Sequence, residues 1–146
     1  MNKEFNFNES VNQASALQNY NLFSGDKSLK DALKATNGDW LNNKLETFGE
    51  LLGKAETIEL GNLANTFTPV LKTHDRYGNR IDVVEFHTAY HELMRLGIGN
   101  ECHSLPWTNP KKGAYAARAA LTYLRHQVDE GTSCPITMTF AVVPSL

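Results

Sequence analysis

The sequence lacks most of what would tie a chain to a membrane, a secretory route or a polyanion. No run approaches the roughly 20 consecutive apolar residues that cross a bilayer. The opening MNKEFNFNESVNQ has no apolar core of a secretory signal. Lys and Arg are not in excess: the formal net charge is -2 over 146 residues, so no net basic field exists to hold phosphate. Cysteine is scarce, with Cys102 and Cys134 in unrelated contexts and no CxxC pair, which excludes a disulfide framework. Two reduced thiols in a soluble, cytoplasmic protein are expected. Sustained period-two alternation is absent, as is any repeat of fixed length. There is no Gly-rich phosphate loop either: Gly97-Ile98-Gly99 is too short and follows a helical rather than a strand pattern.

What is present reads as one domain's worth of ordinary globular chain, 41% apolar and 21% charged. Residues 1–26 are rich in Asn, Ser and Gln, with Phe5, Phe7, Val11, Leu17, Tyr20, Leu22 and Phe23 scattered at no fixed period. An extended N-terminal arm laid against something, such as another subunit, is expected there.

Helical signals fill residues 27–146. Ser28-Leu29-Lys30-Asp31 resembles a capping box and opens a short helix ending near Thr36-Asn37-Gly38. Asp39 is the expected cap of the next helix. In that helix Leu41, Leu45, Phe48, Leu52 and Ala55 recur at steps of four, three, four and three, the signature of one buried face. Gly49 and Gly53 each weaken it by up to ~1 kcal/mol, so close packing is expected at both. Ile58, Leu60, Leu63, Ala64 and Phe67 run out of phase with that stripe and place a break between Gly53 and Thr57. Pro69 ends the run, and Asp75 to Arg80 reads as a turn, with Gly78-Asn79 suited to positive φ. A helix over about Thr88 to Leu96 closes on Gly97 or Gly99. The strongest pattern has Asn109 as cap, Pro110 at the first helical position and Gly131 past the end. Between them Ala117, Leu121, Leu124 and Val128 form a stripe, among alanines that allow close helix approach. The final run from Pro135, ITMTFAVV, is helical or strand-like. The predicted fold is all-α, an antiparallel helical bundle with an extended N-terminal arm. No charge follows Glu130, and so apolar an ending predicts that further chain covers it.

Signals for chemistry are thin. His87 and His91 stand at i and i+4, a spacing that can bring two imidazoles to one metal, but Thr88 stands where the metalloprotease motif needs Glu. Cys102 and His103 are sequence neighbours, and catalytic pairs come from distant segments. Trp40, Trp107 and the tyrosines read as core or interface residues. No catalytic, cofactor-binding or metal-ligating residue emerges.

Four segments carry a resemblance: VNQASALQNYNLF at 11–23, AETIELGNLAN at 55–65, DRYGNRIDVVEFHTAYHELM at 75–94 and GAYAARAALTYLRHQVDEGTSCPITMTFA at 113–141. In order and spacing they resemble the N-terminal domain of the alkylation-response (AidB-type) branch of the acyl-CoA dehydrogenase superfamily. Thr88 departs from the family, which has proline there. The resemblance implies a helical N-terminal domain over 27–146, truncated before a β-domain. It also implies bound FAD in the full-length protein, none in this fragment, and assembly into a homotetramer. A role in protection against DNA alkylation follows, with weak acyl-CoA dehydrogenase activity. DNA contact would run only through a basic C-terminal region absent here. The family's flavin-contacting Met-Thr-Glu…Gly-Gly-Ser-Asp segment lies beyond residue 146. What remains is that the Pro135–Phe140 stretch could face the acyl or flavin cavity, making Thr137, Met138 and Phe140 candidate substrate-pocket residues. Plain apolar packing is the commoner role for such side chains. A self-contained helical protein-interaction module without catalysis is the alternative function.

Overall fold

A computed structural model describes residues 12–146; Phe5, Phe7 and Val11 of the expected arm lie outside the described residues. Among the described residues there are seven α-helices and one β-hairpin, besides two short 3₁₀ turns: α1 (Lys27–Ala35), α2 (Asn42–Leu52), α3 (Ala55–Thr66), β1 (Val70–His74), β2 (Arg80–Glu85), α4 (Thr88–Gly99), α5 (Leu105–Thr108), α6 (Ala114–His126) and α7 (Ser133–Val142). The all-α expectation is therefore corrected to a mostly helical fold with a two-stranded antiparallel sheet.

The anticipated stripe of α2 is the floor of the core. Leu41, Leu45, Phe48 and Leu52 are buried, and they meet Ala117, Leu121 and Leu124 of α6. Because α6 packs against α1, α2, α5 and α7, it is the hub of the fold. Leu33 of α1, Leu105 of α5 and Ile136 of α7 close the same cluster. The break falls where the phase change placed it, α2 stopping at Leu52 and α3 starting at Ala55.

Residues 12–26 form neither helix nor strand, yet they are not free of the body. The Asn19 amide donates to the Gly53 carbonyl at 2.6 Å and the Leu22 amide to that of Gly49 at 3.1 Å. Leu22 and Phe23 are buried. A Cβ on Gly53 would lie 1.6 Å from the Tyr20 carbonyl oxygen, and one on Gly49 only 2.8 Å from the Phe23 nitrogen. These two glycines are therefore required by the approach of residues 19–23 of the same chain, not by a neighbouring helix.

Four expected helix ends move. The cap of α1 is Asp26, whose carboxylate accepts from the Leu29 amide at 2.8 Å, two residues before the Ser28 signal. Asp39 opens a 3₁₀ turn over Asp39–Leu41 in place of capping a helix. Asn109 ends α5, and α6 starts only at Ala114 behind Gly113, whose φ is 79°. Gly97 and Gly99 lie inside α4, which ends at Asn100.

The turn over Asp75–Arg80 is present and carries the hairpin. Asp75 oxygens accept from the amides of Tyr77 and Asn79 at 2.8 and 2.9 Å, and hydrogen bonds from the Asn79 side chain and these amides hold its carboxyl below the usual range. Gly78 has a φ of 85°. Val70 pairs with Glu85, Leu71 with Val84 and Lys72 with Val83; the next pair is His74 with Arg80, so β2 carries an extra residue near Asp82, whose φ is 45°. Every residue of both strands is exposed, including Val70, Leu71, Ile81, Val83 and Val84.

Candidate functional site

The candidate pocket residues all lie on α7. Its Pro135 falls in the first turn, where a missing N–H costs nothing. Apolar and hydroxyl side chains occur on every side of this helix and no charge occurs at all, yet Ser133 and Ile136 are its only buried residues. Met138 is 67% exposed.

Two separate groups of contacts hold the outer half. The Phe140 ring stacks on Trp107 with centroids 5.5 Å apart and meets the edge of Tyr115 at 6.1 Å. Over it lies the Arg118 guanidinium of α6, 4.0 Å from the ring centroid. Arg118 Nε also donates to the Cys102 carbonyl at 2.8 Å, and an Nη donates to Thr137 Oγ1 at 3.5 Å. Thr137 and Met138 line an open hollow of about 300 Å³ with His126, Glu130, Ser133 and Cys134. Phe140 is not among the residues lining it. The three candidates are thus divided: Phe140 packs in an aromatic cluster, Met138 faces the hollow, and Thr137 lines the hollow while bonding to the Arg118 that covers Phe140.

The base of α7 is held by a buried charge. Arg125 of α6, 2% exposed, donates through its two Nη atoms to Thr132 Oγ1 and Ser133 Oγ, and lies 3.8 Å from Asp129. Asp129 accepts in turn from the Gly131 and Thr132 amides at 3.1 and 2.9 Å and from the Thr132 hydroxyl. Burial lowers the Arg125 pKa. Gly97 of α4 makes room for this side chain, since a Cβ there would sit 2.8 Å from Arg125 Nε and 2.4 Å from Ile136 Cδ1.

Sequence reasoning misses Arg118 and Arg125, although a signal is there: both flank Leu121, at i−3 and i+4, on the buried side of α6.

The remaining candidates resolve plainly. His87 caps α4, its Nδ1 accepting from the Ala89 amide at 3.2 Å, and its ring stacks on Phe67. His91 is exposed on the next turn. Among the described residues no three of His, Cys, Asp and Glu are grouped to hold a metal. Cys102 is buried and its thiol is pushed up to about 11 by desolvation, the reverse of an activated nucleophile. Cys134 is exposed. No described helix is long and apolar enough to cross a membrane. The arrangement offers a surface for apolar contact, ordered by two arginines, and no acid–base or nucleophilic pair.

Comparison with known proteins follows the same line. Over 136 residues the chain is 43% identical to an Escherichia coli (strain K12) protein named "Putative acyl-CoA dehydrogenase AidB", a match covering 92% of this chain and 25% of that one. The chain thus spans about a quarter of that relative's length. Two solved structures share the fold at low identity. A protein described as Bd2924, in its apo form, has a TM-score of 0.81 at 22% identity, over 90% of this chain and 27% of its own. Caenorhabditis elegans ACDH-11, solved in complex with C11-CoA, has a TM-score of 0.78 at 19% identity, over 97% of this chain and 25% of its own. The profile of the family described as "Adaptive response protein AidB N-terminal domain" matches residues 12–146, and to that family the chain belongs.

Proposed function

We propose that residues 27–146 are the N-terminal helical domain of a longer, FAD-dependent, acyl-CoA dehydrogenase-like protein of the DNA-alkylation response, with residues 1–26 as its leading arm. In that protein α7 forms one wall of the cavity where an acyl thioester meets the flavin. The observation that carries this reading is α7 itself. A helix without charge, apolar around its whole circumference, is built to be covered, and here most of it faces outward. The family relationship and the C11-CoA held by ACDH-11 support an acyl chain as one neighbour of this wall.

The residues fit FAD in part. The charge-free face around Thr137 and Met138 suits an acyl chain or the edge of a flavin ring. The described residues supply no glycine-rich turn or cationic cradle for the cofactor's pyrophosphate. Those contacts are assigned to segments beyond Leu146, and the 146-residue chain alone should hold no flavin. When bound, FAD supplies the acceptor for hydride leaving the β-carbon of an acyl thioester. The part of this chain is to exclude water from that region and to orient the acyl group: Met138 gives a flexible apolar contact, and Thr137 is held by Arg118 so that its methyl can face outward.

Assembly as a homotetramer fits the hairpin, whose uncovered valines, leucine and isoleucine offer a contact to another subunit. DNA contact is assigned to a basic region outside these residues, consistent with a net charge of -2 here.

The test uses the full-length protein and a series of straight-chain acyl-CoA thioesters. Met138→Trp should shorten the longest chain that bleaches the visible flavin band. An unchanged chain-length profile, with the flavin bound, sinks the wall assignment. A full-length protein that purifies without flavin instead favours the interaction-module reading.

A further inference from the structure

An apolar stripe tells a helix which side to bury. For α7 that instruction is missing, because Ile136, Met138, Phe140, Ala141 and Val142 point in every direction around its axis. A slip of one residue would turn the helix by about 100° and exchange Met138 for a neighbour, and of its apolar side chains only Ile136 and Phe140 have packing that opposes this. Two apolar contacts on a helix without a stripe leave a role for something directional at its base. The N-cap residue Thr132 does not do it in the usual way, since no side-chain cap bond is made there.

We propose that Arg125 is a positioning residue: its buried guanidinium grips the first turn of α7 and thereby fixes which of Thr137, Met138 and Phe140 faces the cavity wall. This deepens the function proposed above and rests on it for its purpose. The guanidinium is a planar fork, and its two prongs reach consecutive residues, Thr132 and Ser133. Two parallel bonds to neighbouring positions fix rotation as well as distance, which a single bond or an apolar contact does not. Asp129 completes the grip. It balances the charge from the end of α6 and binds the Thr132 amide and hydroxyl, so the fork's target is itself held. On the third side the missing side chain of Gly97 leaves the room that the Arg125 stem and Ile136 occupy. A buried ion pair is weak evidence for stability, because a well-packed apolar group of similar size often does as well. Directional control is what the arginine adds.

The readout is Trp107, which stacks on Phe140 and so reports where the far end of α7 lies. In this chain, Trp40→Phe leaves Trp107 as the single tryptophan. In that background, Arg125→Lys keeps the charge opposite Asp129 but loses the fork. Its expected behaviour is a native far-ultraviolet circular dichroism spectrum with Trp107 emission red-shifted and more easily quenched by acrylamide. Arg125→Met with Asp129→Asn, which removes both charges, should show the same shift. Leu45→Ala, a core deletion on α2, whereas α7 packs on α4 and α6, should lower the melting temperature and leave native-state Trp107 emission unchanged. Wild-type emission and quenching in folded Arg125→Lys or in the folded double variant would overturn the proposal. If one of these variants unfolds, the emission of the other decides. If both unfold while Leu45→Ala stays folded, the arginine holds the whole fold together and a role confined to placing α7 is overturned. The clamp and the wall fail separately: a shifted Trp107 beside an unchanged acyl profile for Met138→Trp leaves Arg125 as positioner and removes the wall.

Discussion

Helices α6 and α7 lie side by side and are placed by opposite means. Along α6, Ala117, Leu121 and Leu124 form a single stripe with no exposure at all, while Tyr115, Ala119 and Tyr123 face out. Burial alone gives such a helix its orientation. Its neighbour is apolar on every side, buries Ser133 and Ile136, and takes its orientation from a charged side chain on α6. Hydrophobicity without asymmetry does not specify a position, and polar bonds then have to do so.

The contrast can be broken in four ways, beginning with the largest effect. At pH 8 a thiol reagent should modify exposed Cys134 promptly, whereas buried Cys102 has about a thousandth of its thiol ionised and should react only on unfolding. Two equivalents of fast modification in the native protein would show that the interior beside α6 is open. Next, Leu124→Ala should cost about 2–5 kcal/mol, seen as a lower denaturation midpoint, because the site is fully enclosed. Third, Gly97→Ala should destabilise by about 1–3 kcal/mol although alanine is the better helix former, since the added methyl meets Arg125 and Ile136. A stabilised variant would mean that α4 is not pressed on the clamp. Smallest is Met138→Ala, expected within about 0.5 kcal/mol of wild type in this chain. A loss comparable to that of Leu124→Ala would place Met138 inside.

Legibility in the sequence follows the same divide. The stripe of α2 is plain because its period matches the helix and its one face is buried; the break after Gly53 shows as a phase change. The hairpin is hidden for a physical reason. Strands announce themselves by alternation when one face is buried, and here both faces are exposed while the extra residue near Asp82 shifts the phase halfway along β2. Asn109-Pro110 looks like a helix start, but the left-handed Gly113 delays α6 by several residues. Of the candidate site, Thr137, Met138 and Phe140 come from the resemblance alone; Arg118 contacts Thr137 and Phe140 and Arg125 holds the base of the same helix, and both arginines read on paper as ordinary surface charges. Nothing in composition marks an arginine as buried; only its place three or four residues from Leu121 does.

The kink at Asp82 bears on how the hairpin survives in water. A ribbon with valine, leucine and isoleucine on both sides and bare backbone along its rims is a template onto which any extended polypeptide could zip. Turning one residue into the left-handed region interrupts the row of donors and acceptors along β2. Along that rim a foreign strand finds no unbroken row of backbone groups to pair with.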